Sequence, residues 1–259
     1  MARLTIIGLG PGEAALMAPM ARQALEAASV VAGYGTYLEL LEPELLAGKD
    51  IIESGMMREM ERVRAAIEAT RAGKDTVLVS SGDPGVYGMA GLAWEMAEEC
   101  GALAGIELSV VPGIPALCAA AALLGAPLMH DFAAVSLSDL LTPWEVIERR
   151  IELAAQADFV LAIYNPRSKR RDWQLPRALE LIRRHRDPRT PVGHVRNGYR
   201  QDQFVDTTTL DGMDSAYLKQ VDMLSLLVVG NGSTRFVSAP DGRRMLTPRG
   251  YMEKYGKKC

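Results

Sequence analysis

Short runs of β-branched residues alternate with longer stretches of helical periodicity through the first half of the chain. RLTIIG at 3–8 reads as a strand, ALMAPMARQALEAA at 15–28 as a helix, and SVVAGY at 29–34 as the next strand. DIIES at 50–54, DTVLVSS at 75–81 and IELSVVP at 106–112 extend the series, with helices expected near 57–72 and 87–100. Strand-helix alternation of this kind predicts an α/β layer fold built on parallel strands. Ligands in such sheets bind beyond the carboxyl ends of the strands, where the glycine-rich turns of this chain fall.

From residue 112 the pattern changes to PGIPALCAAAALLGAPLMH, in which Pro115 suits the first turn of a small-residue helix. A boundary here predicts two α/β domains, 1–113 and 114–259. Strands resume with FAAVSLS, DFVLAIYNP and TPVGHVRNG, separated by helical stretches at 143–156 and 174–186. Thr142, Pro143 and Glu145 have the spacing of a capping box. QFVDTTTL and DMLSLLVVGNGSTRFV lack long helices between them, which predicts antiparallel strands at one side of the second sheet.

The composition, 48% hydrophobic and 24% charged over 259 residues, is that of a globular protein able to bury a substantial core. A formal net charge of −3 excludes a general nucleic-acid binder or a ligand of acidic membranes, so an anionic partner requires a local basic patch. No run approaches the roughly 20 apolar residues that span a bilayer. Cys100, Cys118 and Cys259 have no metal-ligand spacing and read as reduced, buried or terminal thiols of a cytoplasmic protein. Metal is expected to have no site on the chain.

Gly8-Leu9-Gly10-Pro11-Gly12 follows a strand as a dinucleotide-binding turn would, but Glu13 stands where the third glycine belongs and Pro11 lacks a donor. The second strand ends at Ala32-Gly33-Tyr34 without an acid for a ribose hydroxyl. The turn VSSGDPGVYGMAG at 79–91 carries Asp83 where a phosphate would bind. A neutral or cationic ligand, such as the sulfonium of S-adenosylmethionine, fits it better. Asp83 as a simple helix cap is the competing reading.

These turns, with Val111-Pro112-Gly113-Ile114-Pro115-Ala116, resemble in order and spacing the tetrapyrrole (corrin/porphyrin) methylase family. Gly33-Tyr34-Gly35-Thr36-Tyr37, Met129-His130-Asp131-Phe132, the segment from Ser136 to Trp144 and Tyr164-Asn165-Pro166-Arg167-Ser168 are similar to its precorrin-3B C(17)-methyltransferases of cobalamin biosynthesis, and more closely to their cobalt-dependent, anaerobic branch. The likeness extends through Leu246-Thr247-Pro248-Arg249-Gly250-Tyr251.

The resemblance implies a class III S-adenosylmethionine-dependent methyltransferase fold, two α/β domains forming a cleft, and a homodimer. It implies methylation of carbon 17 of precorrin-3B or cobalt-factor III with ring contraction, giving (cobalt-)precorrin-4. Carried over by motif, the S-adenosylmethionine contacts are Pro11, Ser81, Gly82, Asp83, Val86, Pro115, Ala116, Asn165 and Gly198. Asp83, for electrostatics around the donor, and Asp139, for substrate orientation or proton transfer, are the candidate catalytic residues, with His130 and Ser138 beside them. The carboxylates of a corrin precursor call for guanidinium groups, and Arg167, Arg170 and Arg196 lie just beyond strand ends. A solvated basic loop is the plain alternative for the 167–171 run. A methylase for another ring carbon and a non-catalytic module binding S-adenosylmethionine or a tetrapyrrole remain open.

Overall fold

The computed structural model describes residues 1–240 and 242–256, so the expected Cys259 thiol lies outside the described residues. The chain divides into two compact units, Met1–Ala116 and Leu117–Cys259, against the 113/114 boundary expected.

In the first unit β1 (Arg3–Gly8), α1 (Pro19–Ala27), β2 (Val30–Tyr34), α2 (Gly35–Leu38), α3 (Pro43–Leu46), β3 (Asp50–Ser54), α4 (Glu59–Arg71), β4 (Thr76–Ser80), α5 (Ala90–Glu99) and β5 (Glu107–Val111) follow one another. The five strands form one parallel sheet in the order β3-β2-β4-β1-β5. The two-residue period of a strand assigns its apolar side chains to opposite faces. Leu4, Ile6, Ala32 and Leu78 pack with Val63, Ile67, Ala93 and Ala97 of α4 and α5. Ile7, Val31, Val77 and Val79 pack with Ala21 and Leu25 of α1 and with Leu38 and Leu45 of α2 and α3. Helices on both faces explain why the central strands are apolar throughout and do not alternate with polar residues.

The second unit is built from α6 (Ala116–Leu124), β6 (Gly125–Ala126), β7 (Phe132–Ser136), α7 (Trp144–Gln156), β8 (Val160–Tyr164), α8 (Gln174–Arg183), β9 (Pro191–Arg196), β10 (Phe204–Thr209), β11 (Ser225–Val229), β12 (Arg235–Ala239), β13 (Gly242–Leu246) and α9 (Tyr251–Tyr255). Its main sheet is mixed, in the order β10-β9-β11-β8-β7. One face carries Val135, Leu161, Ile163, Val192 and Leu227 against Ile147 and Ile151 of α7 and Leu175, Leu179 and Ile182 of α8. On the other face Gly193 has no room for a Cβ, because Leu124 of α6 and Met245 of β13 occupy that space.

Three expectations need correction. The tail strands are antiparallel, but β11 sits in the middle of the sheet between β9 and β8, and β12 joins β13 and β6 in a separate three-stranded sheet. Connections lacking long helices indicate antiparallel pairing without revealing which partner each strand takes. The Thr142 capping box does not form: α7 begins at Trp144 with Pro143 at the cap position and no side-chain cap bond. Cys100 and Cys118 are exposed, not buried, and neither is in a disulfide.

The missing cap is testable. Thr142→Ala should change stability in urea unfolding by less than about 0.5 kcal/mol, whereas a working Ser/Thr cap would cost about 1 kcal/mol.

Candidate active site

β1 lies between β4 and β5, so the loops leaving their carboxyl ends are neighbours. Gly10 and Gly82 exchange backbone hydrogen bonds: Gly82 N donates to Gly10 O at 2.8 Å and Gly10 N to Gly82 O at 3.1 Å. Both have positive φ, +70° at Gly10 and +64° at Gly82, a conformation glycine adopts without penalty. Gly8 and Gly113 meet backbone to backbone. A Cβ on Gly8 would lie 2.9 Å from Gly113 Cα, and one on Gly113 would lie 3.0 Å from Gly8 Cα; each would also overlap the Gly82 carbonyl oxygen.

Asp83 fastens this assembly. Its Oδ1 accepts from Gly85 N at 2.8 Å and its Oδ2 from Gly113 N at 3.0 Å, so one carboxylate ties the loop after β4 to the loop after β5. It does not cap α5, which starts at Ala90 behind Met89. Val86 N donates to Asp83 O at 3.3 Å and closes the turn. Pro11 is buried, Ser81, Val86 and Pro115 are half-buried, and Ala116 opens α6. The nine expected cofactor contacts thus divide: Pro11, Ser81, Gly82, Asp83, Val86, Pro115 and Ala116 share the loop edge of the first unit, and Asn165 and Gly198 belong to the second.

In the second unit β7, β8 and β9 run one way and β10 and β11 the other. The edge that gathers the ends of β7, β8 and β9 with the starts of β10 and β11 carries most of the expected residues. Asn165, at φ +49°, donates from Nδ2 to Ser136 Oγ at 2.9 Å, and Ser138 N donates to the same oxygen at 3.2 Å. Asp139 Oδ2 accepts from Gln174 Nε2 at 2.9 Å. Leu117 N, at the start of α6, donates to the Tyr164 hydroxyl at 3.0 Å. Gly198 follows β9, where a Cβ would press on Val195 Cγ1 at 3.0 Å and Leu123 Cδ1 at 3.2 Å.

The basic run does not act as one patch. Arg171 is buried and donates from Nη1 to Asn165 O at 2.6 Å and to Leu137 O at 3.1 Å, tying the loops after β7 and β8 together. Burial pushes its pKa down and Asp139 opposes the shift. Arg167 donates to Leu218 O at 2.7 Å, while Arg170 is exposed. Arg196 pairs through Nε with Asp222 Oδ2 at 2.8 Å.

His130 is not brought together with these residues. It precedes β7, so the length of that strand, about 16 Å, separates it from Ser138 and Asp139 at the carboxyl end. There it lies 3.3 Å from Asp131 Oδ2 and lines a cavity of about 390 Å³ with Asp158, Asn231, Arg249 and Glu253. Among the described residues no group of three or more His, Cys, Asp or Glu is placed to hold a metal ion, and no helix is long and apolar enough to cross a membrane.

Sequence reasoning missed Arg171 as the loop tie, and it missed His194. His194 is fully buried on β9, with Nε2 2.9 Å from Ser225 Oγ and its ring in T-shaped contact with Phe204 and Tyr217. Burial holds its pKa below the ordinary 6.5, with Arg196 acting the same way and Asp206 and Asp222 opposing. Nothing in TPVGHVRNG distinguishes a buried histidine from an exposed one at a strand end.

Two outcomes follow. Asn at position 83 keeps one acceptor oxygen and faces an N–H with an NH2 group, so Asp83→Asn should lower stability in urea unfolding by about 1–3 kcal/mol; a change within error would mean the tie carries no load. For His194 the depressed folded pKa means the unfolded chain binds a proton the folded one refuses. Stability is therefore full above about 6.5 and declines as pH falls from there toward the lower folded value. Unfolding free energies of His194→Gln should decline less steeply over that window than those of the parent.

Comparison with known proteins agrees with this geometry. The family model described as tetrapyrrole (corrin/porphyrin) methylases matches residues 3–214. A probable cobalt-factor III C(17)-methyltransferase of Salmonella typhimurium is 48% identical over 248 residues, covering 96% of this chain and 99% of that protein. A cobalt-factor III methyltransferase of Priestia megaterium is 47% identical over 255 residues, 98% of this chain, which spans 46% of that longer protein. The crystal structure of the methyltransferase CobJ superposes with a TM-score of 0.88 at 37% identity, over 96% of this chain and 100% of CobJ. With residues 3–214 matched by the family model and a relative 48% identical over nearly all of both chains, the chain belongs to the tetrapyrrole (corrin/porphyrin) methylase family.

Proposed function

We propose that this protein transfers a methyl group from S-adenosylmethionine to carbon 17 of a precorrin-3B-type macrocycle, with ring contraction, in cobalamin biosynthesis. The observation that carries the reading is the glycine-lined edge of the first unit, where backbone packs on backbone at Gly8, Gly82 and Gly113 and Asp83 holds the loops in place. The name of the Salmonella typhimurium relative, at 48% identity, supplies the ring position. The edge suits S-adenosylmethionine: it carries a carboxylate compatible with a cationic centre and has a proline and an acid where a phosphate would need donors.

When bound, S-adenosylmethionine supplies an activated methyl on its sulfonium, so the protein needs no nucleophile of its own. The work of the chain is to orient the acceptor carbon and exclude water. Pro11, Ser81, Gly82, Val86, Pro115 and Ala116, with Asn165 and Gly198, form the cofactor contacts. Asp83 presents its negative charge in a fixed position. Asp139, steadied by Gln174, orients the macrocycle or moves a proton during contraction. Arg196 and Arg170 meet the acetate and propionate groups, with Ser138 beside them. The protein works as a homodimer, as the family resemblance implies, and its exposed thiols Cys100 and Cys118 suit a reducing cytoplasm.

The test is an anaerobic incubation with methyl-labelled S-adenosylmethionine and cobalt-factor III, read by mass spectrometry and NMR of the tetrapyrrole. One labelled methyl at carbon 17 of a contracted ring is expected. Label at a different carbon would reassign the ring position, and tight cofactor binding without transfer to either the cobalt or the metal-free substrate would make the protein a binding module.

A further inference from the structure

We propose that His194 is a positioning residue for the substrate-facing Arg196, acting through Ser225 and Asp222. The proposal rests on the reading of Arg196 as a contact for the carboxylates of the macrocycle.

Hydrogen-bond accounting fixes the direction of the chain. A serine hydroxyl has one proton to donate and two lone pairs. Ser225 Oγ has three neighbours: Asp222 Oδ1 at 3.1 Å, Asp222 N at 3.1 Å and His194 Nε2 at 2.9 Å. A carboxylate can only accept and a backbone N–H can only donate. The hydroxyl proton therefore goes to Asp222 Oδ1, one lone pair takes Asp222 N–H, and the other must take a proton carried on His194 Nε2. His194 is thus the neutral Nε2–H tautomer. Its Nδ1, buried, has no hydrogen-bond partner among the described residues.

The same accounting shows why the chain ends at Arg196. Asp222 Oδ1 also accepts from Leu224 N at 2.9 Å, and its Oδ2 accepts from Arg196 Nε at 2.8 Å. Arg196 and Asp222 are partly exposed, at 32% and 43% of their side-chain surface. A pair that open to solvent is weak on its own and does not hold a long guanidinium in one orientation. The buried end supplies the rigidity: His194 is 0% exposed and packed in T-shaped contacts with the rings of Phe204 and Tyr217, at centroid distances of 5.3 and 5.9 Å. Tyr217 is itself fixed by donating to Asp206 Oδ2 at 2.7 Å. Register does the rest. Ser225 pairs with Arg196 and Leu227 with His194 across β9 and β11, so His194, Ser225 and Arg196 share one face of the sheet.

An apolar residue at 194 would avoid burying an unpartnered nitrogen, and Val192 and Leu227 show that this face otherwise takes apolar side chains. Retaining histidine there makes sense if its Nε2–H is needed to hold Ser225.

The experiment is a double-mutant cycle in the methyl-transfer assay, with affinity for S-adenosylhomocysteine measured alongside. His194→Phe should raise KM for the tetrapyrrole about tenfold, with kcat and S-adenosylhomocysteine affinity little changed. His194→Gln, which restores an N–H donor, should recover most of the loss, and Ser225→Ala should reproduce it. In an Arg196→Ala background His194→Phe should add nothing further. Equal losses with and without Arg196 would overturn the relay, as would unchanged KM in His194→Phe when Arg196→Ala raises it. If Arg196→Ala itself leaves KM unchanged, the substrate role of Arg196 fails and the proposal falls with it. A readout independent of variants is the imidazole 15N spectrum of the intact protein near pH 7.5: a protonated Nε2 and bare Nδ1 are expected for His194, and the opposite tautomer would refute the chain.

Discussion

The loop edge of the first unit is tied by one carboxylate. Asp83 accepts backbone N–H groups from two different loops and so fastens from the side the contact of Gly8 with Gly113 that the pairing of β1 with β5 brings about. The close packing of this edge follows from the contact. Two strand ends can approach this closely only where neither carries a Cβ, and only where a third group holds the loops against their own entropy. The acid that excludes phosphate from the turn is therefore also the part that builds it.

Much of this was legible in the sequence. The ten elements that form the two main sheets were marked by apolar runs between glycine and polar punctuation, and the turn motifs lay in the right order to indicate the family. What stayed hidden was a matter of pairing. Whether β11 lies at the side or the centre of its sheet depends on hydrogen-bond partners far apart in the chain, which no local period encodes. The capping box at Thr142 had the right residue types, yet α7 starts one residue later than the motif requires.

The site residues divide the same way. Gly82, Asp83, Ser138, Asp139 and Asn165 were proposed because they sit in motifs at strand ends, and the structure places them at the loop edges of the two sheets. His130 was grouped with them because it sits in the motif Met129-His130-Asp131-Phe132, although β7 carries the chain away from it before the edge is reached. Within the run from Arg167 to Arg171 composition could not tell which guanidinium faces solvent, and the structure gives the five residues at least three fates. Asp222, Ser225 and His194 carried no signal because their significance lies in a hydrogen-bond chain spanning two strands and a loop.

The two units solve the same problem with opposite charges. At the edge of the first, an acid gathers N–H groups from neighbouring loops. At the edge of the second, Arg171 gathers the carbonyls of Leu137 and Asn165. A buried guanidinium is costly unless its donors are met, and these carbonyls offset that cost. Because arginine stays ionised even when burial lowers its pKa, the second edge keeps a permanent positive charge behind its loops. The first edge correspondingly carries an acid, Asp83. On the proposed reading a cationic methyl donor meets at Asp83 an acid that belongs to the scaffold itself, before any fully exposed side chain takes part in recognition.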